Sequence, residues 1–311
     1  MTAKLRIGLI GWGTVGAALG DLVGTGPLPV ELRRLAVRDA TRARASAVPG
    51  GIAIGSAEAL VEADDLDAVV ELAGGVELPL TWARATLGRG RTYVTANKAL
   101  LATHGGELSD AAQRAGGALL GSASVGGGTP MIETVQHLAA AGRIAGIRGL
   151  LNATTTFILS SMGVGRSYDE ALAAAQRAGY AEADPSFDVE GRDAAQKLAI
   201  LASVAWGRWR AEREVATRGI VGLQPAPGTT VRLLAEGDRE ALRVGPVELA
   251  PDAALARASG VESVLEVAMA DGSSFRVSGP GAGGAVTAGA VYADLARLVA
   301  GERPVLFGGA A

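Results

Sequence analysis

"LRIGLIGWGTVGAALGDLV", Leu5 to Val23, is the stretch on which the fold turns. Leu5 to Gly11 is a largely apolar run stopped by glycine, which suits a short strand buried in a parallel sheet. From Thr14 to Val23 the apolar residues fall at helical spacing. Between them Gly11, Gly13 and Gly16 spell G-x-G-x-x-G. In a strand-turn-helix setting each glycine has a job. Gly11 makes the tight turn, Gly13 lets backbone approach a pyrophosphate, and Gly16 allows close helix–strand packing. Thr14 and Val15 open the helix, whose free amide groups attract phosphate. The reading is a dinucleotide-binding turn with Gly11, Gly13, Thr14, Val15 and Gly16 against the ligand.

The surrounding chain supports a sheet that can carry such a turn. Strand candidates follow at Val30–Asp39, Leu66–Gly75, Thr92–Asn97 and Gly117–Ser124, with helices expected over Leu78–Gly90 and Gly106–Gly116. This alternation predicts an α/β fold, a Rossmann-type doubly wound parallel sheet with right-handed crossovers. Near residue 130 the rhythm changes. Thr129 reads as an N-cap with Pro130 at the first helical position, and a helix over Met131–Gly142 follows. Ile144–Leu159 reads as strand and loop. Helices are expected at Ser167–Gly179 and Arg192–Trp206, with Gly179 and Gly207 as stops. Short β runs fill residues 213–279, among them Val261–Ala270 and Ser273–Pro280. Residues 130–279 are therefore expected to form a second α/β domain with a mixed sheet. Residues 1–129 and 280–311 form the dinucleotide domain, completed by a returning helix over Thr287–Gly301.

Composition narrows the chemistry. The 311 residues are 49% hydrophobic and 20% charged, with a formal net charge of −3, which provides a sizeable core and no basic face for nucleic acid. No apolar run reaches membrane-span length and no signal-peptide core follows Met1, so a cytoplasmic protein without a membrane partner is expected. There are no cysteines and only two histidines. Thiolate nucleophiles and cysteine zinc sites are excluded, and a histidine triad is hard to build. Chemistry must rest on lysine, carboxylates and a bound cofactor.

"GYAEADPSFDVEGRDAAQKLAIL", Gly179 to Leu201, crowds acids ahead of one lysine. On a helix from Arg192, Lys197 shares a face with Asp193, Ile200, Leu201 and Val204. An exposed Asp–Lys pair four residues apart is the ordinary reading. The apolar stripe argues instead for a desolvated ammonium able to exchange protons near neutrality. Asp193 suits the first helical turn. Lys98 follows the Thr92–Asn97 strand at the carboxyl edge of the sheet, where such folds hold ligands. Ala73 and Gly74, after the Leu66–Gly75 strand, and Gly281, in the loop Gly279–Gly284, join the cofactor-binding candidates. After the second strand Arg38 precedes Asp39. An arginine there accommodates the 2′-phosphate of NADP and an acid the 2′-hydroxyl of NAD, so NADP is preferred with some use of NAD. The residues alone point to a nicotinamide dehydrogenase with lysine acid–base chemistry, its substrate open.

Six motifs in order, "GWGTVG", "TANKALLA", "ASVGGGTP", "LNATTTFIL", "GYAEADPSFDVEGRDAAQKLAILAS" and "GPGAGGAVTAGAVYADL", resemble those of homoserine dehydrogenases. The resemblance implies reversible oxidation of L-homoserine to L-aspartate 4-semialdehyde with NAD(P), on the route to threonine and methionine, by a homodimer in which residues 130–279 serve substrate binding and dimerisation. It implies that Lys197 exchanges the hydroxyl proton, accompanied by Asp193, that Lys98 is a second active-site lysine, and that Glu182, Asp188 and Thr154 hold the substrate. Three features depart from the family pattern. Ser122 stands where an acid of a monovalent-cation site is usual, leaving a weak sodium site at the carbonyls of Val125 and Gly127. Ala153 replaces a glycine, which matters if that position needs positive φ. The family's frequent regulatory amino-acid-binding domain finds no room after the returning helix, so no threonine feedback through it is expected. Aspartate-semialdehyde dehydrogenase would need the absent cysteine. Another amino-acid or hydroxy-acid dehydrogenase, or a non-catalytic dinucleotide sensor, are the alternatives.

Overall fold

The computed structural model describes residues 4–39, 48, 50–226, 228–258 and 260–308. The chain divides into two units, one running to Gly128 and resuming at Ala282, the other spanning Thr129–Gly281.

The first unit begins with β1 (Leu5–Ile10), α1 (Thr14–Thr25) and β2 (Val30–Ala36), followed by β3 (Ala53–Gly55), α2 (Ala57–Glu62), β4 (Ala68–Glu71), α3 (Glu77–Gly88), β5 (Thr92–Thr95), α4 (Lys98–Ala115) and β6 (Ala118–Leu120). Six parallel strands lie in the order β3-β2-β1-β4-β5-β6. β1 pairs with β2 on one side and β4 on the other, so the winding reverses beside it, where α/β sheets open a ligand crevice. Ile7, Leu9, Val70 and Val94 are wholly buried in the core beneath.

Two elements here escape the sequence reading. β3 and α2 are short, and Ser56 caps α2 by accepting from the Ala59 amide. α4 begins eight residues earlier than expected and runs through Gly105 and Gly106. Glycine in a helix interior costs about 1 kcal/mol relative to alanine, and the pair reads as a break. Asn97 offsets this by capping the helix, its Oδ1 accepting from the Leu100 amide.

The second unit contains α5 (Met131–Ala141), β7 (Ile144–Leu150), α6 (Ala153–Gly163), α7 (Tyr168–Arg177), α8 (Ser186–Val189), α9 (Arg192–Trp206), β8 (Val215–Thr217), β9 (Thr230–Gly237), β10 (Leu242–Leu249), β11 (Glu262–Met269) and β12 (Ser274–Pro280). Its sheet is mixed, ordered β12-β11-β7-β9-β10-β8, antiparallel except where β8 pairs with β10. From Asp193 to Ala205 every residue of α9 is buried apart from the half-buried Lys197. A helix buried on all sides is a core element, not a surface amphipathic one. α7 starts with a reciprocal capping box between Ser167 and Glu170.

Two local expectations fail in this unit. "NATTTFIL" is helix rather than loop; the β-branched threonines weaken helix propensity, while Asn152 supplies the cap. Thr129 does not cap α5. Its hydroxyl donates to the Pro280 carbonyl, and Pro130 occupies the cap position. After β12, α10 (Gly284–Val299) belongs to the first unit, where Ala288, Val291, Leu295 and Leu298 enter the core.

Candidate active site

In the first unit the turn after β1 is shaped for a ligand. Gly11 has φ of 104°, and a Cβ there would sit 2.8 Å from the Leu72 carbonyl oxygen. A Cβ on Gly16 would lie 2.2 Å from the Gly11 carbonyl oxygen, so the helix packs on the turn only with glycine. At Gly13 a Cβ would meet nothing within 4 Å, leaving the turn open in front. α1 starts at Thr14 with no side-chain cap. Its first-turn amides, those of Thr14, Val15 and Gly16, therefore present the positive end of the helix to that opening. An open, uncapped helix start behind a glycine turn fits a dinucleotide pyrophosphate.

Other candidates sit at the same carboxyl edge. Ala73 and Gly74 donate their amides to Oε1 of Glu71 at 2.7 and 2.8 Å, so those N–H groups are already committed. Lys98 is not a loop lysine but the first residue of α4, half-buried. Arg38 lies two residues beyond the end of β2 and is exposed, as is Asp39. Ser122 is buried, its amide and hydroxyl both donating to the Asp294 carboxylate at 3.1 and 2.6 Å. Val125 and Gly127 are buried just beyond. No group of three or more His, Cys, Asp or Glu among the described residues is placed to hold a metal ion.

The second unit assembles the acids and the lysine around a residue that the sequence reading passed over. Asn152 donates from its amide nitrogen to Asp188 Oδ1 at 2.6 Å and to Asp193 Oδ2 at 2.8 Å. Its oxygen accepts from the Thr155 amide and hydroxyl, capping α6. Lys197 Nζ donates to the same Asp193 Oδ2 and to the Leu151 carbonyl, each at 2.8 Å. Asp193 is 5% exposed. Burial pushes the Asp188 carboxyl above the usual range, and the charge of Asp193 adds to the rise, against the Asn152 hydrogen bond and the Lys197 charge. Thr154 is buried and donates to the Tyr180 carbonyl at 2.6 Å. Asn152 could have been found from its place before a candidate helix, had "NATTTFIL" been read as one.

Not every sequence candidate joins this cluster. Glu182 is exposed, and its backbone carbonyl accepts from Gln176. Asp184 is held below the usual carboxylate range by the Ser186 side chain and by the Ser186 amide at the start of α8, which donates to its Oδ1. Gly281 lies in the second unit, where a Cβ would come 2.1 Å from Ser263 Oγ, so close packing already accounts for that glycine. Ala153 is the first residue of α6, and among the described residues no non-glycine has positive φ. The alanine is unstrained.

Two family models cover most of the chain: homoserine dehydrogenase over residues 130–296 and the homoserine dehydrogenase NAD-binding domain over residues 11–120. The chain belongs to the homoserine dehydrogenase family. It is 38% identical to the homoserine dehydrogenase of Synechocystis sp. across 95% of its own length and 73% of the relative's. Identity to the Corynebacterium glutamicum enzyme is also 38%, across 99% of this chain and 74% of that one. Among solved structures, a homoserine dehydrogenase from Thiobacillus denitrificans superimposes with a TM-score of 0.89 at 34% identity, covering 95% of this chain and 73% of that one. A hyperthermophilic archaeal homoserine dehydrogenase in complex with NADPH gives 0.85 at 27% identity, covering 97% and 99%. Family membership makes the chain an NAD(P)-dependent oxidoreductase, and no helix among its described residues is long and apolar enough to cross a membrane.

Proposed function

We propose that the protein interconverts L-homoserine and L-aspartate 4-semialdehyde, with Lys197 as general acid and base. The observation that carries this reading is the Lys197 ammonium, 15% exposed, held by Asp193 and the Leu151 carbonyl at the end of a buried amide–carboxylate network. Two fixed acceptors aim the amine and leave one of its three N–H positions for a substrate hydroxyl. In the oxidative direction the neutral amine takes the hydroxyl proton as hydride leaves the same carbinol carbon; in reduction the ammonium returns it. When bound, the dinucleotide supplies the hydride acceptor or donor.

The amino-acid end of homoserine brings an ammonium that carboxylates can pair. Asp188 suits this task, since burial disfavours its charge until a cation arrives. Thr154 and Glu182 complete the proposed substrate contacts, and Lys98 serves as the second active-site lysine. For the dinucleotide, Gly11, Gly13, Thr14, Val15 and Gly16 would hold the pyrophosphate. Arg38 favours NADP over NAD through the 2′-phosphate. Ser122, engaged with Asp294, supplies no anionic ligand, so turnover is expected to be independent of sodium or potassium.

A homodimer would pair through the second unit's sheet, where an open concavity of about 690 Å³ is lined by Gly146, Ala268 and the ion pairs Arg148–Glu266 and Arg243–Glu236. A cytoplasmic location accompanies the nicotinamide supply. Purified protein incubated with L-homoserine and either dinucleotide should reduce the nicotinamide. Tight dinucleotide binding without reduction would leave a sensor in place of an enzyme.

A further inference from the structure

Glu71, the last residue of β4, is fully buried, yet the proposed chemistry leaves it without a task. Its two oxygens divide their work. Oε1 accepts from the Ala73 and Gly74 amides, and Oε2 accepts from the Thr95 hydroxyl at 2.7 Å and the Asn97 side-chain nitrogen at 3.3 Å. All four partners are uncharged donors. The Thr95 hydroxyl accepts in turn from the Asn97 amide, so its single proton belongs to Glu71. Asn97 also donates to the Gly75 carbonyl while capping α4. One carboxylate therefore stitches the loop after β4 to the start of α4.

A buried charge is costly, and stitching two loops does not by itself require one. Its position suggests what it is for. β4 lies next to β1 at the reversal of winding, and the Leu72 carbonyl packs directly on Gly11. A dinucleotide spans such a crevice, with the glycine turn and β2 on the adenosine side and the strands beyond the reversal on the other. On that other side, Gly74 and Gly75 are consecutive residues with φ of 71° and 83°, and a Cβ on either would meet nothing within 4 Å. The loop thus presents bare backbone outward while Glu71 and Asn97 fix it from behind.

We infer that Glu71 is a positioning residue for the nicotinamide half of the cofactor, acting through the Ala73–Gly75 backbone and the Asn97–Lys98 start of α4. This rests on the dinucleotide part of the proposed function and not on homoserine as the substrate.

The test is calorimetric titration of wild type and Glu71→Gln with two probes, NADP⁺ and 2′-phospho-ADP-ribose, which lacks the nicotinamide. Glutamine retains the shape, and its oxygen can still accept from Ala73 and Gly74, but its amino group opposes the Asn97 donor. The expected result is about tenfold weaker binding of NADP⁺, the scale of one lost buried hydrogen bond, with the fragment bound as in wild type. Equal weakening of both probes, or no change in either, would overturn the inference. Should Glu71→Gln fail to fold, Thr95→Val removes one Oε2 donor and is expected to show the same selectivity at smaller amplitude; its absence is equally decisive. Failure of wild type to bind either NADP⁺ or NAD⁺ would sink both readings. Binding without homoserine turnover would sink only the enzymatic one.

Discussion

The side-chain amide of Asn152 lies 2.8 Å from Oδ2 of Asp193, the oxygen that also accepts from Lys197. One carboxylate oxygen thus links the cap of α6 to the lysine on α9, and the orientation of the amine depends on a residue three helices earlier in the chain.

Replacing Asn152 with alanine removes the cap of α6 and both amide donors. A lost cap costs about 1 kcal/mol. Asp188 and Asp193 would then face each other without the bridging amide. The expected outcome is a lower melting temperature together with a fall in kcat at saturating homoserine. A lower melting temperature with unchanged kcat would reduce Asn152 to a cap.

Lys197→Ala removes the proton-transferring group and nothing from the glycine turn. Turnover should fall by about 10²–10⁴, the usual scale of general acid–base catalysis, with dinucleotide affinity unchanged in equilibrium titration. Parallel loss of both would mean that the lysine is structural.

Asp188 gives a pH signature. Burial raises its folded-state pKa, so it supports the fold while protonated, fully below the ordinary carboxylate range. That contribution disappears as pH rises through the raised value. Asp188→Asn keeps an acceptor for Asn152 and carries no charge. The variant should be more stable than wild type at neutral pH, with the difference vanishing in acid, and should raise KM for homoserine. Denaturant melts across pH check the first statement and initial rates the second.

The glycines separate folding from binding. Gly16→Ala places a methyl 2.2 Å from the Gly11 carbonyl oxygen and should destabilise the protein by about 1–3 kcal/mol, as overpacked cores do. Gly13→Ala meets no protein atom within 4 Å, so it should melt like wild type while binding NADP⁺ more weakly. Equal melting of the two variants would contradict the packing described for α1.

The sequence by itself determined the parallel sheet, the dinucleotide turn and the Asp193–Lys197 pair. These depend on short-range rules: glycines two to five residues apart in a strand-turn-helix frame, and residues four apart sharing a helix face. Composition likewise removed thiol chemistry outright. Tertiary structure decided what surrounds those pairs. Asn152 and Glu71 act on partners brought near by sheet order and helix packing, such as Asp193, 41 positions from Asn152, and Thr95, 24 from Glu71. The helix at "NATTTFIL" and the early start of α4 went the same way. There weak local propensity was outweighed by an asparagine cap together with burial, and burial exists only once the chain has packed.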